Sequence, residues 1–162
     1  GWTPLKKIIS KELSFAAHLA FYPPCFFNPK NLSFTKAPMH ILIGEDDDWT
    51  PANPCENLVD KMSKNNNIGI TVYSNSHHGF DSQEPVRRNE SGYSFKNCLF
   101  DLTEKGDVLM NYLGLPMSNP TLQKIGFLFC VDRGVSIGGN PEARKKSLIF
   151  AKSFMKRSLI ND

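Results

Sequence analysis

Two short apolar runs, "MHILIG" from Met39 to Gly44 and "IGITVY" from Ile68 to Tyr73, bracket a segment with helical punctuation. That order constrains the fold more than any other feature of the chain. Neither run alternates strictly between apolar and polar residues, and continuous apolarity fits strands covered on both faces, as in a parallel sheet. Between them Asn53 stands as an N-cap, Pro54 as the first helical residue and Glu56 as the third-position acid. Leu58, Val59 and Met62 supply an apolar side, and "KNNNIG" ends the helix. Upstream, Phe15 to Tyr22 reads as another short buried strand closed by Pro23-Pro24, followed by a loop, "FFNPKNLSFTKAP". Strand, loop, strand, helix, strand spells α/β layering with a right-handed crossover.

The flanks are less sharply written. "GWTPLKKIISKEL" has helical character. "DSQEPVRRNESGYS" reads as a polar loop, and "KNCLFDLTEKGDVLMNYL" reads either as a hairpin around Glu104-Lys105-Gly106 or as an insertion over the surface. The last element is clear, with Asn140 as N-cap, Pro141 at the first position and Glu142 in the first turn. Leu148, Ala151, Met155 and Leu159, with Phe150 and Phe154 beside them, give it an apolar stripe of helical period.

Composition narrows the function classes. At 162 residues, 40% hydrophobic and 22% charged, the chain fits one soluble domain. A formal charge of +3 argues against a dedicated nucleic-acid binder. The basic cluster Arg144, Lys145, Lys146, Lys152, Lys156 and Arg157 reads as the solvated face of the last helix. No run approaches a membrane span and no signal-peptide pattern opens the chain, so no membrane partner and a cytoplasmic setting are expected. The four cysteines, Cys25, Cys55, Cys98 and Cys130, form no CxxC, and the expectation is that each is a buried small hydrophobe without a disulfide framework. Two glycosylation-type tripeptides, at Asn31 and Asn89, are given no role.

Chemistry gathers where the two central strands end. In doubly wound sheets reactive groups sit outside the carboxyl ends of strands. "GEDDDWTP" follows one strand and "SNSHHGFD" the next, so an acid and a histidine leave consecutive strand ends. In a hydrolase triad the acid orients the imidazole and stabilises its cation, while the histidine moves the proton. The order acid then histidine, with the nucleophile ahead of both, is that of α/β-hydrolases. From the residues alone, any of the three acids and either His77 or His78 could fill these places. Trp49 and Phe80 are candidates to line a substrate pocket, whereas His18 and His40 read as packed core or sheet-edge residues. No spacing supports a metal site, and no cofactor is expected.

These stretches resemble the dienelactone hydrolase family. The resemblance rests on Gly44, Asp47 and Pro51, then His78, Gly79 and Phe80, with "FAAHLAFYPPC" similar to the family's strand after the nucleophile helix and "NPEARKKSLIFAKSFM" similar to its terminal helix. It implies Asp47 as triad acid, His78 as triad base, and hydrolysis of a small ester or lactone.

The family's nucleophile, a Ser or Cys in Gly-x-Ser/Cys-x-Gly, should precede "FAAHLAFYP", where only Gly1-Trp2-Thr3-Pro4 stands nearby. Thr3 is a poor candidate because the next residue must donate its backbone N–H to the oxyanion, and Pro4 has none. Ser10, Ser14 and Ser33 lack the glycine frame, and Cys25 follows the wrong strand. The fold expected is therefore a partial α/β-hydrolase, residues 1–162 forming a single incomplete domain of C-terminal strands from a mainly parallel sheet with flanking helices. It would carry acid and base without a nucleophile, be inactive alone, and self-associate through an exposed sheet edge. The alternatives are a non-catalytic binding or scaffold protein derived from the same fold, or a basic module that docks its last helix on an acidic partner.

Overall fold

The computed structural model describes residues 2–4, 13–110 and 112–160. Most of the helical character expected near the start, and Ser10, lie outside the described residues. In chain order the elements are β1 (His18–Phe21), β2 (Phe27–Pro29), β3 (Met39–Gly44), α1 (Ala52–Met62), β4 (Ile68–Tyr73), β5 (Arg87–Ser94), β6 (Phe100–Leu102), β7 (Val108–Met110), α2 (Pro120–Phe127), β8 (Asp132–Ile137) and α3 (Pro141–Leu159).

At the centre β1, β3 and β4 form a parallel sheet with β3 in the middle, Ile41 lying opposite Ala20 on one side and Ile70 on the other. Alternation along β3 explains its continuous apolarity. Ile41 and Ile43 pack with Ala52, Cys55 and Val59 of α1, while Leu42 packs with Tyr73, Phe80 and Ala143 on the opposite face. Both faces are thus covered, and every residue of the strand wants to be apolar. Full burial of Leu42 and Ile43 contributes about 1.5–3 kcal/mol each.

Two smaller units attach to this sheet. β2 pairs in parallel with β6, and β6 pairs antiparallel with β7 in a hairpin around Gly106, one of the two readings the sequence left open. Around that sheet Phe26, Phe100 and Met110 form a core of their own, with Phe95 and Phe127 against it. The other unit is an antiparallel ribbon of β5 and β8, irregular between Asn89 and Tyr93. The chain is mixed α/β. "Mainly parallel" holds for the central sheet; outside it, β6–β7 and β5–β8 are antiparallel.

Several expectations need correction. The segment read as a polar loop contains β5, because an exposed ribbon strand carrying Arg87, Arg88 and Glu90 has no apolar face to announce it. Asn119 caps α2 ahead of Pro120, the same signature as at Asn140-Pro141, yet α2 was not expected. α1 begins at Ala52 with the extended Pro51 at its cap, so Asn53 is inside the helix and its Oδ1 accepts from Asn57 instead. On α3 the Asn140 cap holds, but the buried positions are Ala143, Ser147 and Phe154. Leu148, Met155 and Leu159 face outward, at 47%, 38% and 58% exposure. The small residues mark the face that packs closely, and the Arg144 Nε–H bond to the Asp81 carbonyl sets the helix rotation.

The cysteines are buried, as expected, but not as lone hydrophobes. Cys25 is bonded to Cys55 and Cys98 to Cys130. Sequence separations of 30 and 32 leave no local motif to read. In the chain-entropy view, closing a loop of that length is worth ~3–4 kcal/mol.

His40 adds a pH dependence. Its ring packs 4.3 Å from Phe150 and lies over Gly69, and its Nε2 is 2.9 Å from Thr71 Oγ1. Burial pushes the imidazole below its ordinary value of 6.5. The unfolded chain therefore takes up the proton first, so the stability this neutral ring contributes is complete above pH 6.5 and is lost as pH falls below it. A His40→Gln variant should show a smaller acid-side drop in urea midpoint than the wild type, measured across that pH range.

Candidate active site

The central sheet delivers two loops to one place, and the contact between them continues the pairing of β3 with β4. Beyond the last paired residues, the Glu45 N–H donates to the Tyr73 carbonyl (2.9 Å) and the Asp46 N–H to the Ser76 carbonyl (3.0 Å). Gly44 makes this possible: a Cβ there would run into the Ser76 carbonyl. In the second loop Gly79 adopts φ +73°, a conformation that favours glycine. The Gly138 N–H donates to the His78 carbonyl (3.0 Å) and the Asn140 N–H to that of Phe80 (2.9 Å), pinning the loop to the end of β8 and the start of α3.

The three consecutive acids have three different environments. Asp47 is buried at 3% exposure. Its Oδ1 accepts the backbone N–H groups of Trp49 (3.0 Å) and Thr50 (2.7 Å), and its Oδ2 lies 2.9 Å from His78 Nδ1. Asp46 is exposed, and besides its N–H bond to Ser76 its carbonyl accepts from His77 Nδ1 at 3.0 Å. Asp48 accepts the Ser136 N–H at Oδ1 (2.8 Å), while its carbonyl takes the Ser94 hydroxyl. Asp47 and His78, the two residues implied by the family resemblance, are in contact in the structure.

Around His78 stand groups that sequence reading missed. The Tyr22 ring lies 4.3 Å from the imidazole and the Trp49 ring 4.9 Å, centroid to centroid. Tyr22 has φ +39°, unusual for a bulky residue, held by its N–H bond to the Leu42 carbonyl (2.7 Å). Its hydroxyl donates to Asp81 (3.3 Å); burial, with the Asp81 and Asp47 carboxylates, pushes that phenol above its ordinary value. Thr50 Oγ1 sits within 3.1 Å of three groups: the Tyr22 carbonyl (3.0 Å), Asp47 Oδ2 (3.0 Å) and His78 Nδ1 (3.1 Å). No sequence pattern marks Tyr22 or Thr50, because their roles depend on contacts 28 positions apart.

Of the two candidate substrate-contacting residues, Trp49 is half-buried against the imidazole. Phe80 is a correction. It is fully buried among Phe21, Tyr22 and Tyr73, so it supports the site from beneath and has no surface to offer a substrate.

Candidate nucleophiles fare as follows. Cys25 has no thiol, being bonded to Cys55. Thr3 donates its hydroxyl to the Ser33 carbonyl (2.8 Å). Among the described residues no side chain hydrogen-bonds His78 Nε2, and no group of three His, Cys, Asp or Glu is placed to hold a metal ion.

Asp48 acts as a latch between the acid loop and the ribbon. Replacing it by alanine leaves the Ser136 N–H without its acceptor and should cost ~1–2 kcal/mol in urea unfolding, with faster amide exchange at Ser136 and Gly138. Asp46→Ala, which removes only an exposed carboxylate, should change stability by less than about 0.5 kcal/mol.

No curated protein and no solved structure gives a match. The family model for the dienelactone hydrolase family matches residues 6–97, a span that includes β1, β3, α1, β4 and both loops of the acid–histidine pair. That span is more than half of the chain, and the chain belongs to the dienelactone hydrolase family.

Proposed function

We propose that the chain supplies the acid and base of a carboxylic ester or lactone hydrolase, with Asp47 orienting His78. The observation that carries this reading is the buried 2.9 Å contact between Asp47 Oδ2 and His78 Nδ1. A carboxylate at Nδ1 keeps the proton there, leaving the Nε2 lone pair to act as base. The backbone N–H bonds to Asp47 Oδ1 hold the carboxylate in place, so it need not reorganise when the imidazole gains a charge.

The nucleophile in this reading is a serine or cysteine outside these 162 residues, which together form one incomplete hydrolase domain. His78 Nε2 takes its proton as the oxygen or sulfur attacks the ester carbonyl, then returns that proton to the departing alcohol. Water repeats the sequence and releases the acid. Trp49, beside the imidazole, is the residue of this chain best placed to touch the acyl group.

Location follows from the cysteines. No helix among the described residues is long and apolar enough to cross a membrane. Two disulfides favour an oxidising compartment over the cytoplasm, where thiols are kept reduced.

The purified chain should hydrolyse p-nitrophenyl acetate no faster than its His78→Ala variant. Extending it with upstream coding sequence that carries Gly-x-Ser/Cys-x-Gly should give turnover that His78→Ala lowers by several orders of magnitude. Turnover by the unextended chain that depends on His78 would place the nucleophile inside it.

Self-association belongs to the same reading. Among the described residues β1 pairs with β3 along one side only, and Leu148, Ile149, Met155 and Leu159 lie exposed on α3. Unpaired strand edges and apolar patches favour association. Light scattering should show the mean mass rising with concentration into the tens of micromolar range, and a constant monomer mass would overturn this expectation.

A further inference from the structure

Thr50 makes more contacts at the acid–histidine pair than a turn residue requires, and its hydrogen count decides what they mean. A hydroxyl has one proton to give and two lone pairs to receive with. Of its three partners, the Tyr22 carbonyl and Asp47 Oδ2 can both only accept; Asp47 already has the Trp49 and Thr50 N–H groups and His78 Nδ1–H, whereas among the described residues no other group donates to the Tyr22 carbonyl. Giving the hydroxyl proton to the Tyr22 carbonyl leaves both lone pairs of Oγ1 for the imidazole, 3.1 Å away.

We propose that Thr50 is a positioning residue, which accepts the His78 Nδ1–H alongside Asp47 and is made a pure acceptor by the Tyr22 carbonyl. The Nδ1 proton is then shared between Asp47 Oδ2 at 2.9 Å and Thr50 Oγ1 at 3.1 Å. An imidazole turned over or carrying its proton on Nε2 would meet lone pairs with no hydrogen to offer them. The left-handed Tyr22 has a role in this arrangement: its φ of +39° accompanies a carbonyl aimed at Thr50 and a ring lying against His78. Thr50 also holds Asp47 from the other end, through its own N–H to Oδ1.

The inference rests on the proposed roles of Asp47 and His78, and the test separates the two. The readout is the tautomer of His78 in the chain as it stands, from long-range nitrogen–proton NMR correlations above the imidazole titration, which needs no nucleophile. Charged or titratable groups facing the ring are Asp47 from the acid loop and Tyr22 with its partner Asp81, and all are retained in the Thr50 variants. Wild type should be almost wholly the Nδ1–H form. Thr50→Val, of the same shape without the hydroxyl, should lower the ratio of Nδ1–H to Nε2–H about fivefold, the equivalent of one hydrogen bond of ~1 kcal/mol. Thr50→Ala should do the same if valine crowds the Tyr22 carbonyl, and Thr50→Ser should restore the wild-type ratio.

Asp47→Asn provides the separating arm, because an amide can donate to Nδ1 and should reverse the tautomer. If it reverses while Thr50→Val and Thr50→Ala keep the wild-type ratio, the role of Thr50 is overturned and the pair stands. If Thr50→Ser behaves like Thr50→Val, the hydroxyl is not the operative group and the inference is again overturned. If Asp47→Asn changes nothing, the pair itself does not form in solution, and the proposed function falls with it.

Discussion

The pairing of β3 with β4, prolonged past the sheet by the Glu45 and Asp46 N–H bonds, is the constraint on which the rest depends. Parallel strands leave the sheet in the same direction, so the two loops that follow them start side by side. Whether those loops then touch is decided by backbone contact at Gly44, where the Ser76 carbonyl occupies the space a side chain would need. A buried carboxylate beside an imidazole is costly unless hydrogen bonds compensate it. Asp47 meets that requirement with the N–H groups of Trp49 and Thr50 and with the imidazole. Precision at the pair comes from main-chain geometry first and side chains second.

The ribbon of β5 and β8 stands outside the central sheet but reaches both loops. Ser94 and Ser136 bind Asp48, and Gly138 binds the carbonyl of His78. A single two-stranded element thus fixes the acid loop and the base loop relative to one another. Fixing both from one body removes independent motion that would otherwise alter a 2.9 Å contact.

What was legible in the sequence is what is local or periodic. β3 and β4 are written in apolar runs, α1 in its apolar side and the start of α3 in its Asn-Pro cap, and the family pattern at Gly44, Asp47 and Pro51 selected the one acid of three that is buried. What was not legible depends on distant partners. Thr50 and Tyr22 are ordinary residues until the fold sets them 28 positions apart in contact. The cysteines carry no spacing signal because each bridge crosses between elements. An aromatic beside the base loop reads equally as pocket lining or as packing, and for Phe80 the ring turns into the core. On α3 the large apolar residues drew attention from Ala143 and Ser147, whose small size lets the helix approach the sheet.

The segment from Phe95 to Val131 leaves the ribbon and returns to it at neighbouring points. Ser94 pairs with Asp132, Asn97 donates to Asp132 and Cys98 is bonded to Cys130, so the segment leaves through a neck closed three times over, and β2 with Phe26 joins it from outside. The family match ends at residue 97, just inside this neck. Because the ends are already joined, lengthening what lies between them adds only a slowly growing entropic cost, roughly (3/2)RT ln n. Its loops, away from the β6 strand that pairs with β2, can be lengthened or shortened over evolutionary time while the chemistry on the other side of the neck stays untouched. Variation among relatives would then collect beyond the neck, and a graft made there would inherit a ready-made attachment point.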